Sequence, residues 1–510
     1  MNVLTAIERA ARGRADQVAL RCAGTTRTYG ELLEDAARFA GFLHRRGLQP
    51  GDRIGLFMHN EPEFVPALLG IWKAGGVAVP FNYMFAPAAL RHAVVDSGAR
   101  WLLAAGTDLR RLSDALDGTE VVDNIITLAP TDGAPTSFTE ALDGDELRRT
   151  VPRLDTDDAL LMYTSGSTGT PKGVRQTHRN TTAECEAVID AWDIGSDDHA
   201  LVCTPLFHVG GLQLVTLPLL LAGGTVTLRR WKVAEYLDDV TSLHPSVLAI
   251  VPAMMIDIVN LLGDQRRNLG SVRVCMIGGS AMPEARLKQF TALTGIVPVN
   301  IYGQTEQSGL AITEPIDEER RYGSLGKPLS QIVQWQIVPV GGATPFAPGA
   351  DEPGELWVRG DAVTPGYWQL PEVNATKFRD GWFRTSDLVR EAPDGYLYYV
   401  ERSDDMIISG GENIYPQMVE GHLLACPLIA EVTVIGTPHE RFSEQVTAIV
   451  VPARPGVTAE DIAAYCQSRA DLRGLNRPRR IEIVESLPRT GTNKIDKPAL
   501  KARFADLPLR

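Results

Sequence analysis

The sequence contains few cysteines and none of the paired spacings that hold metals or form redox-active disulfides. The six cysteines are scattered over 510 residues, with no C-x-x-C pair and no histidine-rich cluster nearby: Cys22, Cys185, Cys203, Cys275, Cys426 and Cys466. This pattern indicates reduced thiols in a cytoplasmic protein rather than a disulfide framework or a zinc site. We therefore expect the cysteines to be buried as small apolar side chains.

A basic excess and a long apolar run are also missing. The net charge of -13 leaves no surplus of lysine and arginine to neutralise phosphates, so we expect no nucleic-acid partner. The most apolar stretch, 212–228, is interrupted by Gln213, Pro218 and a glycine pair, whereas a membrane span needs about 20 apolar residues. The N-terminal stretch holds arginines and acids where a signal peptide needs its apolar run. We expect a soluble protein without a membrane span.

Helical and strand patterns alternate up to residue 300. Apolar residues recur at three- and four-residue steps between Tyr29 and Arg46, which predicts an amphipathic helix. The segments 53–58 and 75–80 are typical of buried strands, with a helix over 64–74 between them. A second round of this alternation runs through 200–277. Such alternation predicts open, largely parallel sheets with helices on their faces.

The pattern of predicted secondary structure changes twice after residue 300. Short strands separated by Gly, Pro and Asp turns follow residue 330, and a further α/β pattern begins at Ser403. The segment 129–150, rich in Pro, Gly, Thr and acids, predicts a surface connection. We predict an α/β protein with a large N-terminal domain, 1–402, made of two layered αβ subdomains and a small β-rich part at 330–402. A hinge joins it to a small α+β C-terminal domain, 403–510.

A run of Thr, Ser and Gly between Thr164 and Lys172 is the first chemical signal. Such a loop offers backbone N–H groups and hydroxyls that wrap a polyphosphate, and its lysine adds positive charge. It is not a Walker A loop, because Pro171 precedes the lysine and Gly173 follows it, which disfavours a P-loop kinase or NTPase. Taken alone, the loop could also be a flexible turn.

Further segments follow this loop in the order typical of one large family. They are Pro205–Gly211, Gly278–Pro283, Asn300–Glu306, Trp382–Leu388, Glu401–Pro416 and Pro488–Ile495. Together with Tyr163–Gly173 they resemble the adenylate-forming superfamily of acyl- and aryl-CoA ligases, luciferases and peptide-synthetase adenylation domains. The sequence is most similar to ligases of the halobenzoate–CoA ligase type, and the resemblance covers nearly the whole chain.

This resemblance implies an ATP-dependent carboxylate–CoA ligase that uses ATP, Mg²⁺ and coenzyme A. The acid is first adenylated with release of pyrophosphate, and the acyl group then passes to the CoA thiol. The resemblance assigns to ATP the residues Thr164, Ser165, Gly166, Ser167, Thr168, Gly169, Lys172, Gly279, Ser280, Ala281, Asn300, Tyr302, Gly303, Gln304, Thr305, Asp387 and Arg402. It assigns Mg²⁺ to Glu306 and Thr164, as hard oxygen ligands should be.

The resemblance also assigns Lys494 to bridging the carboxylate and the phosphate, and His208 to positioning the acid near the route of the thiol. Several assigned residues have a plainer alternative. Lys494 alone would be a solvated surface lysine, and His208 between apolar neighbours would be a core residue. Glu306 would be a helix-capping acid, and Asp387 a turn former.

The acyl and CoA sides are less well defined. The resemblance places the acid against Ala187, Phe207, His208, Val209, Gly210, Gly303, Gly309 and Leu310. The segment 203–215 has no charged residue, which favours a neutral, apolar and bulky or aryl acid. Glu184, Glu186 and Asp190 on the adjoining helix leave an ammonium group on the acid as an alternative, unless they form its solvent face.

CoA is assigned to Gly410, Gly411, Phe442 and Arg477, the last within a basic cluster with Arg479 and Arg480. Asp404 is assigned to the hinge, about which the C-terminal domain swings between the two half-reactions.

A carrier-protein phosphopantetheine acting in trans is the alternative acceptor, because the sequence ends soon after Lys494 without a carrier domain. A homodimer also stays open, and a catalytically dead nucleotide-binding module is a further alternative.

The sequence departs from the family at three glycine positions. Ser386 stands before Asp387, Glu401 before Arg402 and Asn493 before Lys494. We expect Glu401 to change the ATP site or the hinge.

Overall fold

The computed structural model describes residues 2–119, 122, 124–131, 136–164, 170–280, 282–409, 412–472, 474–489 and 495–504. Several predicted site residues lie outside these ranges: Ser165, Gly166, Ser167, Thr168, Gly169, Ala281, Gly410, Gly411 and Lys494. Their assignments stay predictions.

The described chain divides into two compact units. The first lies within Met1–Thr164, Thr170–Gln334 and Val358–Phe383, and the second within Trp335–Trp357 and Arg384–Arg510. The boundary that we predicted from the sequence, at 402/403, differs from this division and stays a prediction.

The chain up to Thr164 alternates between helices and strands. The elements are α1 (Val3–Ala10), β1 (Val18–Cys22), β2 (Thr25–Thr28), α2 (Tyr29–Arg45), β3 (Arg53–Phe57), α3 (Phe64–Lys73), β4 (Val77–Pro80), α4 (Pro87–Ser97), β5 (Trp101–Ala104), α5 (Leu109–Leu116), β6 (Asn124–Thr127), β7 (Thr136–Ser137), α6 (Phe138–Ala141) and β8 (Asp158–Thr164). The predicted amphipathic helix is α2, which buries its apolar stripe as its spacing requires. A capping box fixes its start, because Thr28 and Glu31 each accept a hydrogen bond from the other's backbone N–H.

The same alternation continues to Pro328. The elements are β9 (Lys172–Thr177), α7 (His178–Trp192), β10 (His199–Val202), α8 (Val209–Gly211), the π-helix Leu212–Thr216, α9 (Leu217–Ala222), β11 (Thr225–Leu228), α10 (Val233–Leu243), β12 (Val247–Ile250), α11 (Pro252–Leu262), β13 (Val274–Ile277), α12 (Glu284–Thr294), β14 (Val299–Tyr302), the 3₁₀ turn Thr305–Gln307, β15 (Ile312–Thr313) and β16 (Lys327–Pro328).

These strands form two sheets in the first unit. A nine-stranded sheet has the order β16-β15-β14-β13-β12-β10-β11-β1-β2, and a seven-stranded sheet has the order β7-β6-β5-β3-β4-β8-β9. The inner pairs are parallel, whereas β1–β2, β8–β9, β14–β15 and β15–β16 are antiparallel. The prediction of two αβ layers with largely parallel sheets is confirmed.

The last part of the chain forms two five-stranded sheets. Its elements are β17 (Gln334–Val338), β18 (Gly354–Arg359), α13 (Pro371–Lys377), β19 (Phe378–Arg379), β20 (Trp382–Glu391), β21 (Leu397–Arg402), β22 (Ile407–Ser409), β23 (Glu412–Ile414), α14 (Pro416–Leu424), β24 (Ile429–His439), β25 (Ser443–Pro452), α15 (Ala459–Ser468), β26 (Arg480–Ile483) and α16 (Lys497–Phe504). β17 to β21 form one sheet, and β22 to β26 form the other.

The segment 129–150 is more ordered than its composition predicts. The strand β7 adds to the seven-stranded sheet, and α6 follows directly with Phe138 buried. The Phe138 ring packs 4.9 Å from the ring of Phe39, measured between centroids. The prediction of a surface connection is therefore wrong for residues 136–141, because the buried Phe138 ring anchors this segment to the protein.

All six cysteines are free and buried, as expected. Within the ranges that the structure describes, every helix is too short or too polar to cross a bilayer.

Candidate active site

The predicted phosphate loop lies between the two strands of an antiparallel hairpin, β8 and β9. The Cα atoms of Thr164 and Lys172 are partners in the strand register, so the two ends of the loop lie side by side. The Tyr163 hydroxyl donates a hydrogen bond of 2.6 Å to Asp96 and anchors the first end. Burial raises the pKa of Tyr163, which keeps its hydroxyl a neutral donor. The structure thus brings together Thr164 and Lys172, while the loop residues between 165 and 169 lie outside its description.

The predicted adenine side lies where β13 and β14 end. These strands are parallel, with Ile277 opposite Asn300, so the residues after β13 and the end of β14 share one edge of the nine-stranded sheet. Ligands of open α/β sheets bind outside this carboxyl edge. Gly279 has a φ of +92°, a conformation that favours glycine. Ser280 and Tyr302 therefore lie at the same edge.

Asn300 and Thr305, two residues predicted to contact ATP, also bind other parts of the protein. One N–H of the Asn300 amide donates to the Ser324 carbonyl. The Thr305 carbonyl accepts a hydrogen bond of 2.7 Å from the Gln176 amide on β9. This second bond joins the turn that contains Thr305 to the hairpin that carries the phosphate loop.

The carboxylate of Glu306 is held by a tyrosine. The Tyr367 hydroxyl donates to Glu306 Oε1 across 2.7 Å, and the Thr364 N–H donates to the Glu306 carbonyl across 2.8 Å. Tyr367 also forms a bridge with Val174 of β9, so Glu306 is oriented beside the phosphate-loop hairpin. A carboxylate fixed in this way is a suitable oxygen ligand for Mg²⁺.

The donor set fits Mg²⁺ that arrives with a nucleotide. Over the described ranges, no group of three or more His, Cys, Asp or Glu residues forms a metal cage. Mg²⁺ is usually held by one or two carboxylates together with substrate phosphates. Glu306 and the Thr164 hydroxyl would supply such ligands, and the bound ion would neutralise phosphate charge.

Two glycines shape the predicted acyl side. A Cβ at Gly303 would lie 2.2 Å from the Gly309 carbonyl oxygen, so only glycine fits there. Gly309 itself has a φ of +120°, and a Cβ built on it would lie 3.2 Å from Val209 Cβ and 3.5 Å from Leu214 Cδ2. The structure therefore brings Gly303, Gly309 and Val209 together, as predicted, and adds Leu214 to the site.

Glu184 is part of the same group of residues. Its Oε1 lies 3.4 Å from the position of that Cβ on Gly309, and its side chain is 0% exposed. The alternative that Glu184 forms a solvent face is therefore wrong, whereas Glu186 and Asp190 are exposed. Burial raises the pKa of Glu184 well above its ordinary value. Burial therefore favours the protonated, neutral form of this side chain.

Aromatic residues border the acyl side. Phe207 is buried and meets the Tyr83 ring edge-on, with 5.0 Å between the centroids. Ala187 and Leu310 are also buried. His208 is exposed, so its interpretation as a core residue is wrong. Its Nδ1 accepts a hydrogen bond of 3.1 Å from the Gly210 N–H.

The predicted ribose residues form an ion pair in the second unit. β20 and β21 are antiparallel with Asp387 opposite Arg402, and Arg402 Nη1 lies 3.0 Å from Asp387 Oδ1. The Asp387 side chain is 5% exposed, whereas that of Arg402 is 35% exposed. The buried carboxylate of Asp387 and the partly exposed guanidinium of Arg402 therefore lie side by side. Asp387 lies within β20, so it is not a turn former.

Two departures from the family gain a structural account. Ser386 has a φ of +62°, the left-handed conformation in which a glycine is expected. The Glu401 carboxylate accepts hydrogen bonds from the backbone N–H groups of Arg402 and Gln417. Burial raises the pKa of Glu401, although Lys497 and these hydrogen bonds oppose that change. Glu401 therefore joins the end of β21 to the start of α14.

Of the residues predicted for CoA and the hinge, those that the structure describes are exposed or partly exposed. Phe442 is half-buried, and the Arg479 guanidinium lies 4.4 Å from its ring centroid. Arg477 is exposed. The Asp404 side chain is 49% exposed and lies 3.4 Å from Arg402. Their roles toward CoA and in the hinge stay predictions.

The predicted basic cluster is smaller than the sequence suggests. Arg480 forms an ion pair with Glu482, with Nε 2.7 Å from Oε1, and its side chain is largely buried. Arg477 and Arg479 are both exposed and carry the charge that a phosphate would meet.

Tyr367, Tyr83 and Leu214 are site residues that the sequence did not reveal. Each reaches the site through contacts distant in sequence, such as the bond between Tyr367 and Glu306. No local pattern marks them, although Tyr367 lies in a conspicuous Gly-Tyr-Trp run.

The two αβ layers with largely parallel sheets, the residues predicted to bind phosphate and acid, and the small C-terminal sheet are features of an adenylate-forming enzyme. The chain belongs to the AMP-binding enzyme family, whose pattern matches residues 7–368, and the AMP-binding enzyme C-terminal domain matches residues 418–494. The predicted superfamily and fold class are confirmed.

Curated relatives define the reaction. A feruloyl-CoA synthase from Amycolatopsis sp. is 36% identical over 511 residues, covering 97% of this chain and 98% of that protein. A 2-succinylbenzoate–CoA ligase from Geobacillus kaustophilus is 32% identical and covers 95% of each chain. The crystal structure of ATP-bound MatB from Rhodopseudomonas palustris superposes with a TM-score of 0.90 at 27% identity over 99% of each chain.

The chain is thus an ATP-dependent carboxylate–CoA ligase, AMP-forming. The predicted cofactors ATP, Mg²⁺ and coenzyme A are confirmed at the level of this class of enzyme.

Proposed function

We propose that this ligase activates a neutral aryl carboxylic acid and transfers it to coenzyme A. The observation that carries the proposal is the uncharged, partly aromatic acyl side, where Phe207 meets Tyr83 and Val209 lies beside Gly309. Aromatic side chains pack favourably edge-on against an aryl ring. The relatives named for feruloyl and 2-succinylbenzoate substrates support an aryl acid.

The adenylation step follows from the chemistry of the residues. A substrate carboxylate oxygen attacks the α-phosphorus of ATP, the bond to the bridging oxygen breaks, and pyrophosphate leaves. Lys172 and Lys494 would offset the negative charge that gathers there. The buried Asp387 carboxylate would accept hydrogen bonds from the ribose hydroxyls, held in place by Arg402 at 3.0 Å.

The thioester step needs no protein nucleophile. The CoA sulfur attacks the acyl carbonyl carbon, the bond to the AMP oxygen breaks, and the thiol proton passes to solvent. His208 would position the adenylate, because it is exposed and its Nδ1 is already occupied by the Gly210 N–H. Gly410, Gly411, Phe442 and Arg477 would receive CoA, and Asp404 would allow the C-terminal domain to move between the two steps.

Pyrophosphate release over a panel of aryl, fatty and dicarboxylic acids tests the proposal, each measured with and without CoA. We expect cinnamic and benzoic acid derivatives to give the highest kcat/KM and a CoA thioester as product. A fatty or dicarboxylic acid that is used at least about tenfold better than every aryl acid would refute it. Replacing Lys494 by Ala should reduce adenylation at least about 100-fold, as removal of one preorganised charge does.

The acceptor, assembly and location are finer points of the same proposal. CoA is the favoured acceptor, and a holo-carrier protein in place of CoA in this assay tests the alternative of loading in trans. Six free, buried cysteines support a reducing, cytoplasmic location. A homodimer stays a prediction for sedimentation measurements.

A further inference from the structure

Glu184 is a buried acid with an unpaired oxygen. It lies on α7 with its side chain 0% exposed. The Cys185 thiol donates a weak hydrogen bond to Oε2 across 3.7 Å. Oε1 has no hydrogen-bond partner within the described part of the chain. Buried polar atoms in native proteins are nearly always paired, so such an oxygen calls for a partner.

The unpaired oxygen faces the acyl side. A Cβ on Gly309 would lie 3.4 Å from Glu184 Oε1 and 3.2 Å from Val209 Cβ. Gly309 and Val209 are the residues against which we place the acid. Gly309 therefore places no side chain between Glu184 Oε1 and Val209.

The surroundings decide which chemical group suits this oxygen. Burial raises the pKa of Glu184 well above its ordinary value, and no basic side chain is among the causes that act on it. Burial among apolar neighbours therefore favours the neutral carboxyl group, which has one O–H donor and one carbonyl acceptor. A cationic group on the substrate would instead require a buried carboxylate among apolar neighbours such as Leu214, which is costly.

We infer that Glu184 is a specificity-determining residue whose neutral carboxyl group exchanges hydrogen bonds with a hydroxyl group on the acid substrate. A hydroxyl both donates and accepts, as a neutral carboxyl does. The inference rests on the proposed function, because it narrows the substrate class from aryl acids to hydroxyaryl acids.

The test compares cinnamic acid with its 2-, 3- and 4-hydroxy derivatives and with 4-(aminomethyl)cinnamic acid, whose amino group is an ammonium ion near pH 7. The kcat/KM of each is measured by pyrophosphate release in wild type and in Glu184→Gln, Glu184→Leu and Glu186→Gln. Glu186 is the matched control, since it lies on the same helix but is exposed. Unfolding midpoints of all variants show which of them fold.

We expect wild type to favour one hydroxycinnamic acid over cinnamic acid by at least about tenfold, as one buried hydrogen bond allows. In Glu184→Leu, the ratio of kcat/KM for that hydroxy acid to kcat/KM for cinnamic acid should fall to within about threefold of one, mainly because the KM of the hydroxy acid rises. Glu184→Gln, which keeps a neutral hydrogen-bonding group, should retain part of the ratio, and Glu186→Gln all of it. A purely structural role would lower the activity with every acid equally and leave the ratio unchanged.

Three further results would overturn the inference. The first is equal use of cinnamic acid and all three hydroxy acids by wild type, which would leave the proposed aryl ligase intact. The second is a preference for 4-(aminomethyl)cinnamic acid that both Glu184 variants abolish, because its ammonium group would require an ionised carboxylate. The third is no turnover of any of the five aryl acids, which would overturn the proposed function as well. If Glu184→Leu does not fold, the selectivity of wild type for the hydroxy acid and the part of it that Glu184→Gln retains still test the inference.

Discussion

The Glu401 carboxylate accepts a hydrogen bond of 2.7 Å from the backbone N–H of Gln417. Its other oxygen accepts a hydrogen bond of 2.9 Å from the Arg402 N–H. Gln417 lies in the first turn of α14, so Glu401 pairs one of the N–H groups that a helix leaves open there. Because Asp404 lies between them in the chain, this bond spans the predicted hinge.

Replacing Glu401 by Gly should therefore loosen the predicted hinge. A swing about Asp404 that moves α14 away from β21 has to break this bond. We expect thioester formation from preformed acyl-adenylate to accelerate about three- to tenfold in a single-turnover assay, corresponding to about one buried hydrogen bond. The free energy of unfolding should fall by about 1–3 kcal/mol in urea, because two backbone N–H groups lose their acceptor.

The exposed Glu440 offers the control for this variant. Glu440→Gly should leave both the thioester rate and the urea midpoint within error of wild type. Thioester formation that is unchanged or slower in Glu401→Gly would show that the bond does not restrain the movement.

Tyr367→Phe should weaken the predicted metal site without abolishing it. The variant removes the hydroxyl that donates to Glu306 Oε1 across 2.7 Å and leaves the carboxylate less well oriented. We expect the Mg²⁺ concentration for half-maximal adenylation to rise about tenfold, with a smaller effect at saturating Mg²⁺. Glu306→Gln should reduce the rate of adenylation at least about 100-fold.

The matched control for Tyr367 is Tyr398→Phe, whose ring lies against Arg390 in another sheet. It should leave the Mg²⁺ dependence unchanged. If Tyr367→Phe lowers activity equally at all Mg²⁺ concentrations, Tyr367 supports the fold rather than Glu306.

Local pattern and family resemblance predicted much of the fold and part of the site. The short strands predicted after residue 330 include Gly354–Arg359, and α2 buries the stripe that its spacing predicts. The pairing of Asp387 with Arg402 agrees with their common assignment to one ligand. These features were accessible because each depends on a short segment with its own periodicity or motif.

Features that depend on tertiary contacts were not accessible. Glu184 was grouped with Glu186 and Asp190 by charge, yet it shares the helix face of the buried Thr181 and Val188. Helical spacing of three and four residues would have placed it inward. Tyr367 meets Glu306 from 61 positions away, and nothing in either segment specifies that contact.

Glu184 also predicts a dependence of stability on pH. Burial raises its pKa in the fold, whereas the unfolded chain keeps the ordinary value of about 4.3. Above that value the unfolded state loses its proton while the folded state keeps it, so the free energy of unfolding falls as pH rises. The neighbouring Cys185 thiol stays protonated, because burial raises its pKa as well.

Glu184→Gln removes this titration. The unfolding midpoint of Glu184→Gln relative to that of wild type should therefore rise as the pH increases above about 4.5, measured by thermal unfolding in matched buffers. The exposed Glu186→Gln should show a flat difference over the same range. A flat difference for Glu184→Gln would mean that Glu184 is ionised in the fold.

Asp404→Pro should separate the two half-reactions. Asp404 lies in a turn in which the Asp405 N–H donates to the Arg402 carbonyl across 3.1 Å, and its own side chain is exposed. Proline fixes φ at this position, so the chain loses the rotation that a swing of the C-terminal domain requires. We expect ATP–pyrophosphate exchange with the acid to stay within about threefold of wild type, while CoA thioester formation falls at least about 100-fold. Asp404→Ala removes the same carboxylate but keeps φ free, and it should support both reactions. Equal loss of both half-reactions in Asp404→Pro, with Asp404→Ala active, would place the hinge elsewhere.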